Sequence, residues 1–153
     1  MLRPTSCQVQ QFPLHLPPLI TATCNFSDMM TADEQLLQGT EVYIKDFFAE
    51  HIRPEYVFHD LEHTIQTVAA VRMIAEGFQM DQQDMLIVQL ATWFHDTGYS
   101  DGPKDHEARS CVNAENYLRG KITDEDLQSV LGCIRSTKVP QQPNTLLEQI
   151  ICD

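Results

Sequence analysis

The chain has 153 residues, 42% of them hydrophobic and 21% charged, a size and balance that suit one folded domain and exclude general disorder. Six glycines exclude collagen-like and Gly-rich repeats, and no run approaches the ~18 apolar residues of a membrane-spanning helix. With 22 acidic against 10 basic residues and a net charge of −12, the chain has no general attraction for phosphate backbones, so nucleic-acid polymers are not expected partners.

The acidity reads first as solubility. A protein this negative that handles anionic phosphates needs a local positive centre, and a bound cation is the direct one. The five cysteines, Cys7, Cys24, Cys111, Cys133 and Cys152, are odd in number and form no C-x-x-C pair. They read as small hydrophobes in a reduced, cytoplasmic protein.

Residues 1–30 hold four of the eight prolines, Pro4, Pro13, Pro17 and Pro18, and only two charges, Arg3 and Asp28. The prolines break any helix and interrupt the apolar run that a signal peptide needs. The segment is expected to be a loose N-terminal extension, or the product of a misassigned start with Met29 or Met30 as the true one. The sequon Asn25-Phe26-Ser27 carries little weight in a chain read as cytoplasmic.

Helical patterning begins at Thr31, which forms a capping box with Glu34. Leu36, Leu37, Thr40, Tyr43, Ile44, Phe47 and Phe48 then recur at three- and four-residue steps up to Pro54, and Glu41 with Lys45 is a favourable i,i+4 pair. A second helix is expected over Asp60 to Glu76, stopped by Gly77. A third starts near Asp81 and runs to Phe94, apolar nearly all round and therefore the buried central helix. It ends at His95-Asp96-Thr97-Gly98. A polar loop, Tyr99 to Lys104, leads to a fourth helix over Asp105 to Leu118. Thr123 caps a fifth, Pro140 and Pro143 force a loop, and Leu146 opens a last helix. No stretch alternates with period two, so strands are not expected. The architecture predicted is all-α, one compact irregular bundle. The chain stops inside the apolar run Leu146 to Cys152, which points to a truncated piece.

Five of the six histidines adjoin an acid, and four of these fall in three pieces of one stretch. His59-Asp60-Leu61-Glu62-His63 puts two imidazoles on one face of a helix start, His95-Asp96 ends the most buried helix, and His106-Glu107 opens the next. His15 and His51, the latter after Glu50, stand outside that stretch. A buried carboxylate needs a cation or several donors. A divalent metal meets that need, and an imidazole and carboxylate set favours Mn, Fe, Co, Ni or Zn. Such an ion lowers the pKa of water toward ~7 and neutralises a phosphoryl oxygen. Each piece alone also has a plain reading. A His pair can be a solvated face, a His at a helix C-terminus answers the macrodipole, and Glu107 suits a helix N-terminus. The order and closeness of the three pieces favour the metal.

Taken together, Phe58 to Thr64, Leu90 to Tyr99, Asp105-His106-Glu107-Ala108 and Leu146 to Asp153 resemble the HD-domain metal-dependent phosphohydrolases, over about two thirds of the chain. The resemblance implies a domain of that type over 31–153, truncated at its C-terminus. It implies His63 as the first metal ligand and His95 with Asp96 as the doublet. Asp153 matches either the distant ligand or an acid two places before it, and the second option puts that ligand beyond the chain end. The resemblance also implies roles. Asp96 binds the metal and orients or deprotonates the attacking water, and His59 or His106 donates a proton to the leaving oxygen or holds a phosphate. His106 is alternatively a ligand of a second ion. Lys104 and Lys138 contact the phosphate, or else are solvated lysines.

The expected activity is hydrolysis of a phosphate ester or anhydride of a nucleotide or other small phosphorylated molecule, without a membrane partner and compatible with an oligomer. One alternative is a non-catalytic, metal- or nucleotide-binding regulatory module of the same type. Another is a helical module whose histidines are purely structural.

Overall fold

The computed structural model describes residues 30–56 and 58–152. Six helices follow one another: α1 (Ala32–His51), α2 (Leu61–Gly77), α3 (Gln82–Phe94), α4 (His106–Leu118), α5 (Asp124–Ser136) and α6 (Leu146–Cys152), with a 3₁₀ turn at Thr97–Asp101 between α3 and α4. Among the described residues the β-structure is confined to one isolated bridge, Arg119 to Ile122. No described helix is long and apolar enough to cross a membrane. The extension expected over 1–30 lies, apart from Met30, outside the described residues, as do His15, Cys7, Cys24, the sequon and Asp153.

The helix starts follow their caps. Thr31 Oγ1 accepts from the Glu34 N–H at 3.2 Å and the Glu34 carboxylate accepts from the Thr31 N–H at 2.8 Å, a complete capping box. Asp60, Asp81 and Thr123 cap α2, α3 and α5 with side-chain oxygens. The end of α2 differs from the expectation at Gly77, which is still helical. Gln79 takes the left-handed conformation instead, with φ of 53°. The Gln79 N–H donates to the Glu76 carbonyl and the Met80 N–H to the Ala75 carbonyl, which is a Schellman ending. Met80 then folds its side chain against the core, and that contact places the turn two residues after the glycine.

α3 is the central helix. It packs against α1, α2, α4, α5 and α6, because its apolar residues leave no polar stripe to face water. Leu86, Ile87, Val88, Leu90, Ala91, Thr92, Trp93 and Phe94 are all buried. Each large apolar side chain removed from water stabilises the fold by about 1.5–3 kcal/mol. Partners come from each neighbour: Ile44 and Phe48 of α1, Val71 and Ala75 of α2, Leu118 of α4, Val130 and Ile134 of α5, and Ile150 of α6. The C-terminal end of α3 is thereby fixed in the middle of the molecule, together with the polar residues that follow it.

Two other boundaries shift. The loop expected from Tyr99 is in part the 3₁₀ turn Thr97–Asp101. Asp105 precedes α4 in the left-handed conformation, φ 52°, with no side-chain cap; its carboxylate instead accepts from Lys138 Nζ at 3.1 Å.

Candidate metal centre

The site lies where α3 ends. His95 is the C-cap of α3 and its Nδ1 donates to the Thr92 carbonyl at 2.7 Å. His95 and Asp96 are 8% and 2% exposed. The start of α2 comes alongside: the Asp60 carboxylate accepts from the His63 N–H at 2.8 Å, so the cap that begins the helix also sets where His63 projects. His59 sits just before that cap, and its Nδ1 lies 2.8 Å from Asp96 Oδ2.

Asp96 is the hub. Its Oδ2 lies 3.2 Å from His95 Nε2 and 3.8 Å from His63 Nε2, and its Oδ1 is 3.6 Å from His106 Nε2. Donors held about 2.1 Å from one ion lie about 3–4.2 Å apart. The ligand atoms of His63, His95 and Asp96 all fall within 4.8 Å of one another, so this group could hold a metal ion. The donor chemistry agrees. With its proton engaged by Thr92, His95 turns Nε2 inward, and the carboxylate oxygen has lone pairs for both an ion and the His59 N–H.

The electrostatics follow from burial set against neighbours. Burial alone would raise the Asp96 carboxyl. The hydrogen bonds and charges of His95 and His59 overcome it and hold Asp96 well below the usual carboxylate range. Burial likewise works to lower the His95 imidazole, but the bond and charge of Asp96 and the Thr92 carbonyl raise it. His63 is lowered, by burial first and then by the nearby His95.

The supports of the site were not all visible in the sequence. Tyr99, the last residue of the Leu90 to Tyr99 stretch, is one of them. Its ring stacks on His59 at 4.0 Å and 15° and lies 4.3 Å from His106, so it spaces the two histidines. Ser110 donates to the His95 carbonyl at 2.6 Å and accepts from the Gly98 N–H at 2.9 Å. Arg109 gathers the carbonyls of Gly98, Gly102 and Lys104. Neither residue belongs to a local pattern; only the register of α4, which puts Ser110 one turn beyond His106, hints at it. Gly98 is needed for close approach, since a Cβ there would fall 2.0 Å from the His106 carbonyl oxygen.

The centre opens into a cleft of about 670 Å³, lined at this end by His59, His63, His95, Asp96, His106 and Glu107. The structure thus brings His59, His63, His95, Asp96 and His106 together. Lys104 and Lys138 are not among the lining residues; Lys138 is exposed and paired with Asp105. Glu107 is in the first turn of α4, with Oε2 3.6 Å from His106 Nδ1. His51 bonds the Phe47 carbonyl on its own helix. Asp153 lies outside the described residues. No family model, curated protein or solved structure matches the chain.

Proposed function

We propose that this chain is a cytoplasmic, HD-type metal-dependent phosphohydrolase that cleaves a phosphate ester or anhydride of a nucleotide or other small phosphorylated molecule. The observation that carries the reading is the convergence of His63, His95 and Asp96 on one point at the floor of a cleft, with ligand atoms within 4.8 Å of one another. An Mn, Fe, Co, Ni or Zn ion held by them supplies Lewis acidity toward water and a phosphoryl oxygen.

The chain's own groups have distinct tasks. Asp96 has Oδ2 toward the ligand cluster and Oδ1 3.6 Å from His106 Nε2, and as an ionised carboxylate lining the cleft it can orient a water. His59 is hydrogen-bonded to Asp96 through Nδ1, which leaves Nε2 as the atom able to pass a proton to a departing oxygen. His106 gives its Nδ1 proton to the Pro103 carbonyl at 3.0 Å, so its Nε2 faces Asp96 and the cleft. Tyr99 keeps the two rings apart and screens one side from water.

The test is release of inorganic phosphate or a nucleoside monophosphate from a phosphoester panel with added Mn²⁺, Co²⁺ or Zn²⁺. His95→Ala and Asp96→Ala should abolish turnover, and His59→Ala should lower kcat by about 10²–10⁴-fold. Full activity in the first two variants, or no turnover by the metal-loaded protein, refutes the enzyme reading. Nucleotide binding without turnover favours a regulatory module. No bound metal after chelator-free purification favours a structural helical module.

A further inference from the structure

We infer that the cleft takes a single terminal phosphate on an uncharged, largely apolar body: a phosphomonoester, in preference to a nucleoside di- or triphosphate. The inference rests on the phosphohydrolase reading and narrows its substrate class.

Charge argues first. The cleft is lined by the carboxylates of Asp96 and Glu107, and among the described lining residues there is no Lys or Arg. Of the cations close by in sequence, Lys104 does not line the cleft, and Arg109 and Lys138 are engaged elsewhere. Arg109 donates to three backbone carbonyls of the 98–104 segment. Lys138, between the lining residues Thr137 and Val139, bonds Asp105. Positive charge in the cleft is therefore left to a divalent cation and the imidazoles. That suits one phosphate of about two negative charges. Sites for β- and γ-phosphates add Lys, Arg or a glycine-rich loop of N–H groups, and nothing along this wall supplies them.

Polarity argues second. His63, Thr67, Ala70 and Ile74 follow one another on the face of α2 that lines the cleft. The twelve residues from His63 to Ile74 span about 16 Å of helix. Val139, Ile150 and Ile151 line the cleft as well, with Gln141 as a neutral hydrogen-bonding group. Along α2 the wall therefore passes from the imidazole of His63 to the apolar Ala70 and Ile74. A phosphate anchored at His63, His95 and Asp96 directs its ester body along α2 onto Ala70 and Ile74. Hydrolysis there forms one P–O bond from water and breaks the P–O bond to the body. One water proton passes to the departing oxygen, giving an alcohol and inorganic phosphate.

The experiment compares adenosine mono-, di- and triphosphate at fixed free Mn²⁺, by phosphate release and by calorimetric titration of the full chain. The monophosphate should exceed the triphosphate at least tenfold in kcat/KM and should bind more tightly. Gln141→Arg, which adds a cation to the cleft lining, should raise the ratio of triphosphate to monophosphate affinity at least threefold. Equal or better use of the triphosphate overturns this inference and leaves the phosphohydrolase reading standing. Absence of phosphate release from all three and from the whole phosphoester panel overturns both.

Discussion

The Nδ1 atom of His95 lies 2.7 Å from the carbonyl oxygen of Thr92, three residues back in the chain. A carbonyl only accepts, so the proton is on Nδ1 and the ring is held with Nε2 toward Asp96, 3.2 Å away. Packing of α3 buries the pair, and the carbonyl that fixes the ring belongs to the same helix. The protein alone thus sets the geometry of these two candidate ligands, the preorganisation a metal site would need.

Protein purified without chelator should therefore carry a transition metal, measured by elemental analysis. His95→Ala and Asp96→Ala should lower metal affinity by at least the roughly 10–100-fold seen when a supporting partner of a ligand is lost. Retention of metal by both variants would remove these residues from the ligand set.

Gly98→Ala should destabilise the fold by more than the roughly 1–3 kcal/mol usual for overpacking. The added Cβ meets backbone of α4, at 2.0 Å from the His106 carbonyl oxygen and 2.9 Å from the Ser110 nitrogen, and no side chain can step aside. Thermal unfolding should show the loss, and the His106 ring signals should move in an imidazole NMR spectrum.

Ser110→Ala should cost about 1–3 kcal/mol, because it strands the buried Gly98 N–H that now donates to the serine hydroxyl. Denaturant unfolding with an unchanged slope is the appropriate readout.

Thr40→Val should raise stability by about 1 kcal/mol. Thr40 is fully buried on α1 and its Oγ1 has no hydrogen-bond partner, so valine keeps the shape and removes an unpaired polar atom. A lower denaturation midpoint would show that the hydroxyl is satisfied in solution.

Cys133 and Cys111 should stay unlabelled by iodoacetamide in the native protein at pH 8, as read by peptide mass spectrometry. Burial pushes the Cys133 thiol up to about 12 from an ordinary 9.0 and raises Cys111 as well, so little nucleophilic thiolate forms. The raised value carries a sign for stability. The buried thiol's contribution is complete below pH 9 and is lost as pH climbs toward 12. Cys133→Ala should flatten the fall of the unfolding midpoint between pH 9 and 11.

Read along the chain, the order of helices and the residues that start them were legible because capping and periodicity act within four residues. Thr31 with Glu34, Asp60, Asp81 and Thr123 each satisfy orphan N–H groups locally. The buried status of α3 was legible because no polar stripe remained on it. The stop of α2 was legible to within a residue at Gly77, where the helix ends, while the left-handed turn itself falls at Gln79.

The site divides in the same way. The local order of His59, His63, His95, Asp96 and His106 named the candidates, because each lies next to a cap or a helix end that chain-local rules identify. Their distances depend on α2, α3 and α4 meeting at one end of the bundle. That meeting is secured by Ser110 between His95 and Gly98, by Arg109 across the 98–104 carbonyls and by Tyr99 between two imidazoles. Those contacts join residues up to forty positions apart, and no periodic pattern encodes them. Only the packed fold decides that Asp96 is the hub, that Lys138 turns to Asp105, and that the cleft grows apolar away from the histidines.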